Sequence, residues 1–381
     1  MSFNLLFLNC QVASMFISNY PQAEQAYRQA LLIYEDAGKP AECLSLKIEV
    51  TNGLAFILSL TGKPSESIKM AQENLRRSDL EFDQIGKIGA NIQIAINQYY
   101  LGNYRQAICT AGKSLESATA FRNGRMMMYL HLIIARSALA MGRIAECWQH
   151  LQSIKELERK YSCIEVSRTA HTVCGELYSS LGAYKLAIKE FEDGISSFSN
   201  SLEVLDNRLH FGMMLRYLGE IQRGDQMVKT ALNEAQAKKF ASIYLLGELY
   251  DVFWYIRTGK DKEGQQLIDI YERDIISSDM RAPKLCLQLI KSHLAKHNHQ
   301  LDRAKAFAQQ VVNDSIEINH VWMELHGRRI LWELTHNKRE KQVQAEEIDM
   351  KIENMTEGIQ EASISGLLNK FKKRIFDRRD A

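Results

Sequence analysis

The stretch HTVCGELYSSLGAYKLAIKEFEDG, His171 to Gly194, decides how the rest of the chain is read. It divides into two short amphipathic helices with a tight turn at Leu181-Gly182. Glycine supplies the backbone freedom that such a turn demands. Before the turn, Gly175 and Tyr178 share one helical face; after it, Tyr184, Ala187 and Phe191 fall at i, i+3 and i+7 and form one stripe. Small residues facing bulky ones let the two helices of a hairpin approach closely.

Equivalent turns recur along the chain at Ser18, Gly62, Gly102, Gly142, Gly182, Gly219, Gly259 and His299. All but two of the steps between neighbours are 40 residues, the others being 44 and 37. A fixed period in this range marks a stacked array of helical units. Fixed offsets support it. Five residues after each turn stand Ala23, Ser67, Ala107, Cys147, Ala187, Gly224, Gly264 and Ala304, all small. Seven before it, Gln11, Ala55, Ala95, Ala135, Gly175, Gly212, Val252 and Ser292 are mostly small. Nine after it, Tyr27, Ala71, Ala111, Leu151, Phe191, Val228, Ile268 and Ala308 are all able to be buried. Small residues permit the close helix pair, and bulky ones fill the space to the next hairpin.

The runs SNYPQAEQAYRQAL, LGNYRQAICTAGKSL, LGAYKLAIKEFEDGI and LGEIQRGDQMVKTAL resemble the second halves of tetratricopeptide repeats. Eight such units reach to about residue 312, and Asn337 is a plausible ninth turn. The usual period is about 34 residues. The longer one resembles the variety found in bacterial regulatory proteins with a helical sensor arm, and in kinesin light chains. HEAT and armadillo arrays share the period, but the glycine turn with a small residue five later favours the tetratricopeptide reading. The resemblance implies an all-α, right-handed α-solenoid of eight to nine hairpins. The first helix of each unit would line its concave face, where ligands are held. Residues 1–355 are expected to form the array.

Composition agrees with that class. Of 381 residues, 46% are hydrophobic and 25% charged, and only Pro21, Pro40, Pro64 and Pro283 could interrupt helices. A formal net charge of +2 gives no global pull toward nucleic acid or membrane. Seven cysteines are scattered without a CxxC pair, and Cys147, Cys174 and Cys286 read as buried thiols in a reducing, cytoplasmic compartment. Residues 3–16 read as a packed amphipathic helix, since Asn9 and Gln11 break the apolar run and no Lys or Arg precedes it.

Beyond the eight units, Val321, Trp322, Leu325, Ile330 and Trp332 mark another amphipathic helix, followed by a largely polar one from about Arg339 to Met355. Residues 356–381 form a basic tail in which Leu367, Leu368, Phe371 and Ile375 line one face. A capping helix is the plainer reading; docking on an acidic partner, membrane or nucleic acid is the other.

No catalytic constellation stands out. TAGKS at 110–114 imitates the end of a phosphate-binding loop, but the required earlier glycine is Ala107 and the segment falls mid-helix. His293, His297 and His299 are the densest histidine cluster, without a nearby acid in sequence, which makes a weak metal site. The chain is therefore read as non-enzymatic, with no cofactor and no metal.

Positions two, three and six before the turns should face the groove. They give Phe56, Tyr99, Tyr100, Arg136, Glu176, Arg216, Tyr217, Phe253, Arg257, His293 and Lys296. Aromatic residues mixed with arginine compose peptide-binding hot spots, and guanidinium groups hold carboxylates in pairs. The expected partner is another protein, through an acidic segment or a C-terminal carboxylate held across units 136–296. The alternative is a peptide or small-ligand sensor whose superhelix changes shape. With no ATPase loop or DNA-binding helix pair in view, the resemblance implies an output through a partner, in bacterial signalling or transcriptional regulation.

Overall fold

The computed structural model describes residues 20–38, 44–80, 83–195 and 202–375, and every regular element within them is a helix. In chain order these are α1 (Tyr20–Asp36), α2 (Leu44–Leu60), α3 (Pro64–Leu80), α4 (Gln84–Tyr100), α5 (Tyr104–Ala120) and α6 (Gly124–Ala140). Then come α7 (Ile144–Glu158), α8 (Ile164–Ser180), α9 (Tyr184–Ile195), α10 (Leu202–Tyr217), α11 (Ile221–Lys238) and α12 (Ala241–Arg257). The last six are α13 (Asp261–Ser277), α14 (Arg281–His297), α15 (Leu301–Ile318), α16 (Val321–Leu334), α17 (Lys338–Met355) and α18 (Ala362–Arg374). The expected turn at Ser18 and the helix over residues 3–16 lie outside the described residues.

The turns sit where the glycines predict. Gly62, Gly102, Gly142, Gly182, Gly219 and Gly259 all take φ between 70° and 91°, and His299 follows at 58°. At Gly182 the geometry is a Schellman closure: Gly182 N–H donates to the Ser179 carbonyl at 2.9 Å and Ala183 N–H to the Tyr178 carbonyl at 2.8 Å. The second bond recurs from Asn103 to Gln98, Arg143 to Ala138, Glu220 to Leu215, Lys260 to Tyr255 and Gln300 to Ala295, at 2.8–2.9 Å. A left-handed residue thus stops one helix and hands the chain to the next.

The small positions meet face to face. Ser67 donates its hydroxyl to the Ala55 carbonyl at 2.6 Å, and in a later unit Ser292 donates to the Ala304 carbonyl at 2.7 Å. The same two positions are involved with the roles exchanged. Gly175 lies under the Phe191 ring, where a Cβ would come within 2.3 Å of it. TAGKS lies inside α5, with Ala111 and Ser114 buried against neighbouring helices.

Packing divides the helices into two layers. The even-numbered helices from α2 to α16 touch one another in succession, and so form the inner wall. Each odd-numbered helix packs chiefly on its sequence neighbours and forms the outer wall. The result is a helical-repeat solenoid, and its turns also close on one another. A Cβ on Gly62 would meet Ala241 at 2.8 Å, one on Gly102 would meet Arg281 at 3.1 Å, and one on Gly142 would meet Val321 at 3.0 Å. Leu54 and Leu58 share a core with Leu205, Leu209 and Phe240, while Met128, Leu151 and Leu177 share one with Leu325, Ile348 and Ile352. Early units are therefore buried against late ones, which a linear rod of hairpins would not allow.

Helix α18 buries Ile364 and Leu368 in that second core and sets Phe371 edge-on to Trp322 at 5.6 Å. Lys372 on its outer side pairs with Glu353 at 3.0 Å and Asp349 at 3.5 Å. Of the thiols, Cys147, Cys163, Cys174 and Cys286 are free and buried, and Cys109 is free and exposed. Among the described residues no helix is long and apolar enough to cross a membrane.

Candidate functional site in the interior groove

Five successive inner helices, α4, α6, α8, α10 and α12, send Tyr99, Arg136, Glu176, Asp206, His210 and Tyr250 into one polar cluster. Arg136 Nη2 donates to Asp206 Oδ2 at 2.7 Å. His210 Nε2 lies 3.2 Å from Glu176 Oε1 and 3.6 Å from Asp206 Oδ1. The His210 ring meets Tyr250 edge-on at 5.7 Å and stacks on Phe191 at 6.1 Å. Asp206 and His210 stand at i, i+4 on α10, which places both on one face.

Protein surrounds these side chains, yet Arg136, Asp206, His210 and Glu176 keep 17–25% of their surface accessible to water. Residues both deep and wetted line an internal groove. Burial raises the Glu176 carboxyl above its ordinary value, against the pull of His210 and Arg136. Burial works the other way on Arg136, but Asp206, Tyr99, Glu176 and Tyr100 together outweigh it and hold the guanidinium firmly charged. Burial also pushes the Tyr99 and Tyr250 phenols up, so both remain neutral hydrogen-bonding groups.

A second group surrounds the Gly219 turn. Arg216 is only 6% exposed; its Nε donates to Asp225 at 2.7 Å and its Nη1 to Asp251 at 2.6 Å. Its guanidinium also lies over the Trp254 ring at 5.6 Å. Tyr217 meets Trp254 edge-on at 6.1 Å and carries Arg257 over its own ring at 5.0 Å. Arg216 thus clasps α10 to α11 and α12. Arg257 is exposed.

The third group lies further along the same wall. Phe253 meets His293 edge-on at 5.1 Å. Lys296 Nζ and Arg329 Nε share Glu333, at 2.5 Å and 3.1 Å. Burial lowers His293 to about 3, with His326 and Lys296 adding to the effect, and lowers His326 to about 4. These imidazoles are neutral at physiological pH. His297 turns away toward Asp261, at 3.5 Å, so the three histidines close in sequence do not converge.

The residues expected to line the groove therefore separate. Tyr99, Arg136 and Glu176 meet in the first group, with Tyr100 edge-on to Tyr99 at 5.6 Å. Arg216, Tyr217 and Arg257 form the second, and Phe253, His293 and Lys296 belong to the third. Phe56 stands apart, 44% exposed. Asp206, His210 and Tyr250 were not among the expected positions. His210 and Tyr250 both stand nine residues before their turns, about one helical turn beyond the position six before. Their recurrence in adjacent units was the available signal.

No protein-family model and no curated protein matches the chain. Solved structures do. The apo form of the quorum sensor NprR from B. thuringiensis superposes with a TM-score of 0.53 at 16% identity, over 82% of this chain and 87% of that one. A Rap protein complexed with competence and sporulation factor gives 0.56 at 13% identity, over 83% and 98%. A human IFIT1 dimer with PPP-AAAA gives 0.50 at 12% identity, over 98% and 90%. At these identities the likeness speaks for the fold, a tetratricopeptide-like helical-repeat solenoid.

Proposed function

We propose that this chain is a non-enzymatic regulatory receptor whose interior groove holds an extended peptide, or a short segment of a partner protein, in the manner of a bacterial sensor arm. The observation that carries the reading is the cluster of Tyr99, Arg136, Glu176, Asp206, His210 and Tyr250. It is drawn from five successive inner helices, surrounded by protein and still reached by water. Aromatic faces and charges of both signs at such a place suit a ligand that offers backbone amides and a charged end. Two of the similar structures are a quorum sensor and a Rap protein complexed with competence and sporulation factor, which supports the same use of the fold here.

The contacts between early and late units favour a receptor that changes shape over an open scaffold. A ligand spanning α4 to α12 would bias the spacing of these units, and hence the seam that closes them. The ion pairs of Arg136, Arg216 and Lys296 also shift the expected ligand away from a purely acidic segment. In this reading α18 caps the array, and the buried thiols suit a reducing, cytoplasmic setting.

The test is a peptide library screened by fluorescence polarisation against the full chain, beside Arg136→Ala and Glu176→Gln. Library members that bind the wild type should raise its melting temperature and lose at least tenfold in affinity for both variants. Binders indifferent to both substitutions, with no change in the solution scattering profile, would sink the reading.

A further inference from the structure

Glu176 and Asp206 face His210 across the first polar cluster, and Arg136 meets the far oxygen of Asp206. Two carboxylates and an imidazole turned toward one point compose a donor set for a cation.

The donor geometry specifies which kind. Glu176, Asp206 and His210 each offer one ligand atom, all within 4.8 Å of one another. A tetrahedral ion with bonds of about 2.0–2.1 Å separates its ligand atoms by roughly 3.3 Å. His210 Nε2 stands 3.2 Å from the Glu176 oxygen and 3.6 Å from the Asp206 oxygen, so two edges of that tetrahedron already exist. The third, between the two carboxylate oxygens, is no longer than 4.8 Å. Arg136 grips the other oxygen of Asp206 and so leaves Oδ1 turned toward His210, the supporting role that outer hydrogen bonds play around bound ions. One imidazole with two carboxylates suits zinc and its transition-metal neighbours better than calcium or magnesium, which prefer oxygen alone.

We propose that Glu176, Asp206 and His210 form a binding site for a single divalent transition-metal ion of the zinc class. Its fourth position opens on the water of the groove. Because Glu176 comes from α8 and the other two ligands from α10, the ion ties two consecutive inner helices together.

The experiment uses the full chain stripped with chelator, titrated with zinc chloride by calorimetry and with cobalt(II) by visible absorption. The expected result is one ion per chain, held at least tenfold more weakly by His210→Ala and by Glu176→Gln. The near-isosteric glutamine variant, checked by circular dichroism, keeps the test decisive if the alanine variant folds poorly. His131→Ala/His150→Ala serves as the control, since those two imidazoles lie 2.7 Å apart on α6 and α7 and could bind metal themselves. Stoichiometric binding that survives both site variants overturns the proposal. So does binding lost only in the control, an intense thiolate-to-cobalt band, or no stoichiometric uptake at all.

Discussion

Trp322 donates its indole N–H to the backbone carbonyl of Leu139 at 2.7 Å, across 183 residues of sequence. This bond fastens the start of α16 to the end of α6. Leu139 also accepts from Gly142 N–H at 3.0 Å, so its carbonyl keeps a partner without the indole. Trp322→Phe should therefore cost only about 1 kcal/mol, the net value of a hydrogen bond. Trp322→Ala also removes the contact with Phe371 and should cost about 3 kcal/mol, at the low end for a large aromatic that is only half-buried. Denaturant melts give the two values. Small-angle scattering should show a larger radius for the alanine variant alone.

Arg216 tests the difference between holding a ligand and holding the fold. Its guanidinium is buried between Asp225 and Asp251, so Arg216→Ala leaves the half-buried Asp251 without its counter-charge. Breaking such a pair from one side costs about 3 kcal/mol. The expected signature is a lower melting temperature with little change in ligand affinity at a temperature where the variant is still folded. Loss of ligand affinity without loss of stability would return Arg216 to the groove.

Two glycines should respond with opposite sign. Gly224 faces Gly212 where α10 and α11 touch, and a Cβ there would come within 2.7 Å of the Gly212 carbonyl oxygen. Backbone cannot step aside cheaply, so Gly224→Ala should destabilise by about 2 kcal/mol. Gly112, in the middle of TAGKS, has open space where its Cβ would stand. Gly112→Ala should stabilise by up to about 1 kcal/mol through helix propensity alone. A phosphate-binding loop would not tolerate it so well. Thermal melts of both proteins decide the matter.

Two kinds of group give stability opposite slopes with pH. Burial raises Glu248 from 4.5 to about 7. Between those values the folded chain holds a proton that the unfolded chain has released, so the contribution of Glu248 falls as pH rises through that window. Allowing for the water that reaches it, the change should be about 1–2 kcal/mol. Glu248→Gln should abolish it and raise the melting temperature at pH 8 more than at pH 5. His293, lowered from 6.5 to about 3, works the other way: its contribution is full above 6.5 and is lost as pH falls toward 3. His293→Phe should flatten the acid limb of the stability curve, and a curve with its acid limb unchanged would contradict that assignment.

Much of the fold was legible because the turns are chemically marked. A left-handed residue closes the turn inside most hairpins, and glycine at a near-constant interval announces it, as do the small residues five positions later. The interior was only partly legible. Glu176 fell in the expected window, but its partners Asp206 and His210 come from the next inner helix, and pairing across units has no one-dimensional signature. Arg216 occupied a groove-facing offset and instead turned into its own hairpin, because Gly224 opposite it leaves room for the side chain. The seam between early and late units was invisible for a different reason. It depends on how far each unit rotates relative to the last, and no single unit encodes that angle.

The seam has a mechanical consequence. Gly62 meets Ala241, Gly102 meets Arg281 and Gly142 meets Val321, and every pair is separated by the same 179 positions. The molecule is therefore wound like a screw thread, with one full lap of about four and a half units. Three contacts in a common phase cannot slip one at a time without straining the others. A change of pitch imposed anywhere in the groove is thus carried to all three together, and the array should respond as one stiff coil with two settings.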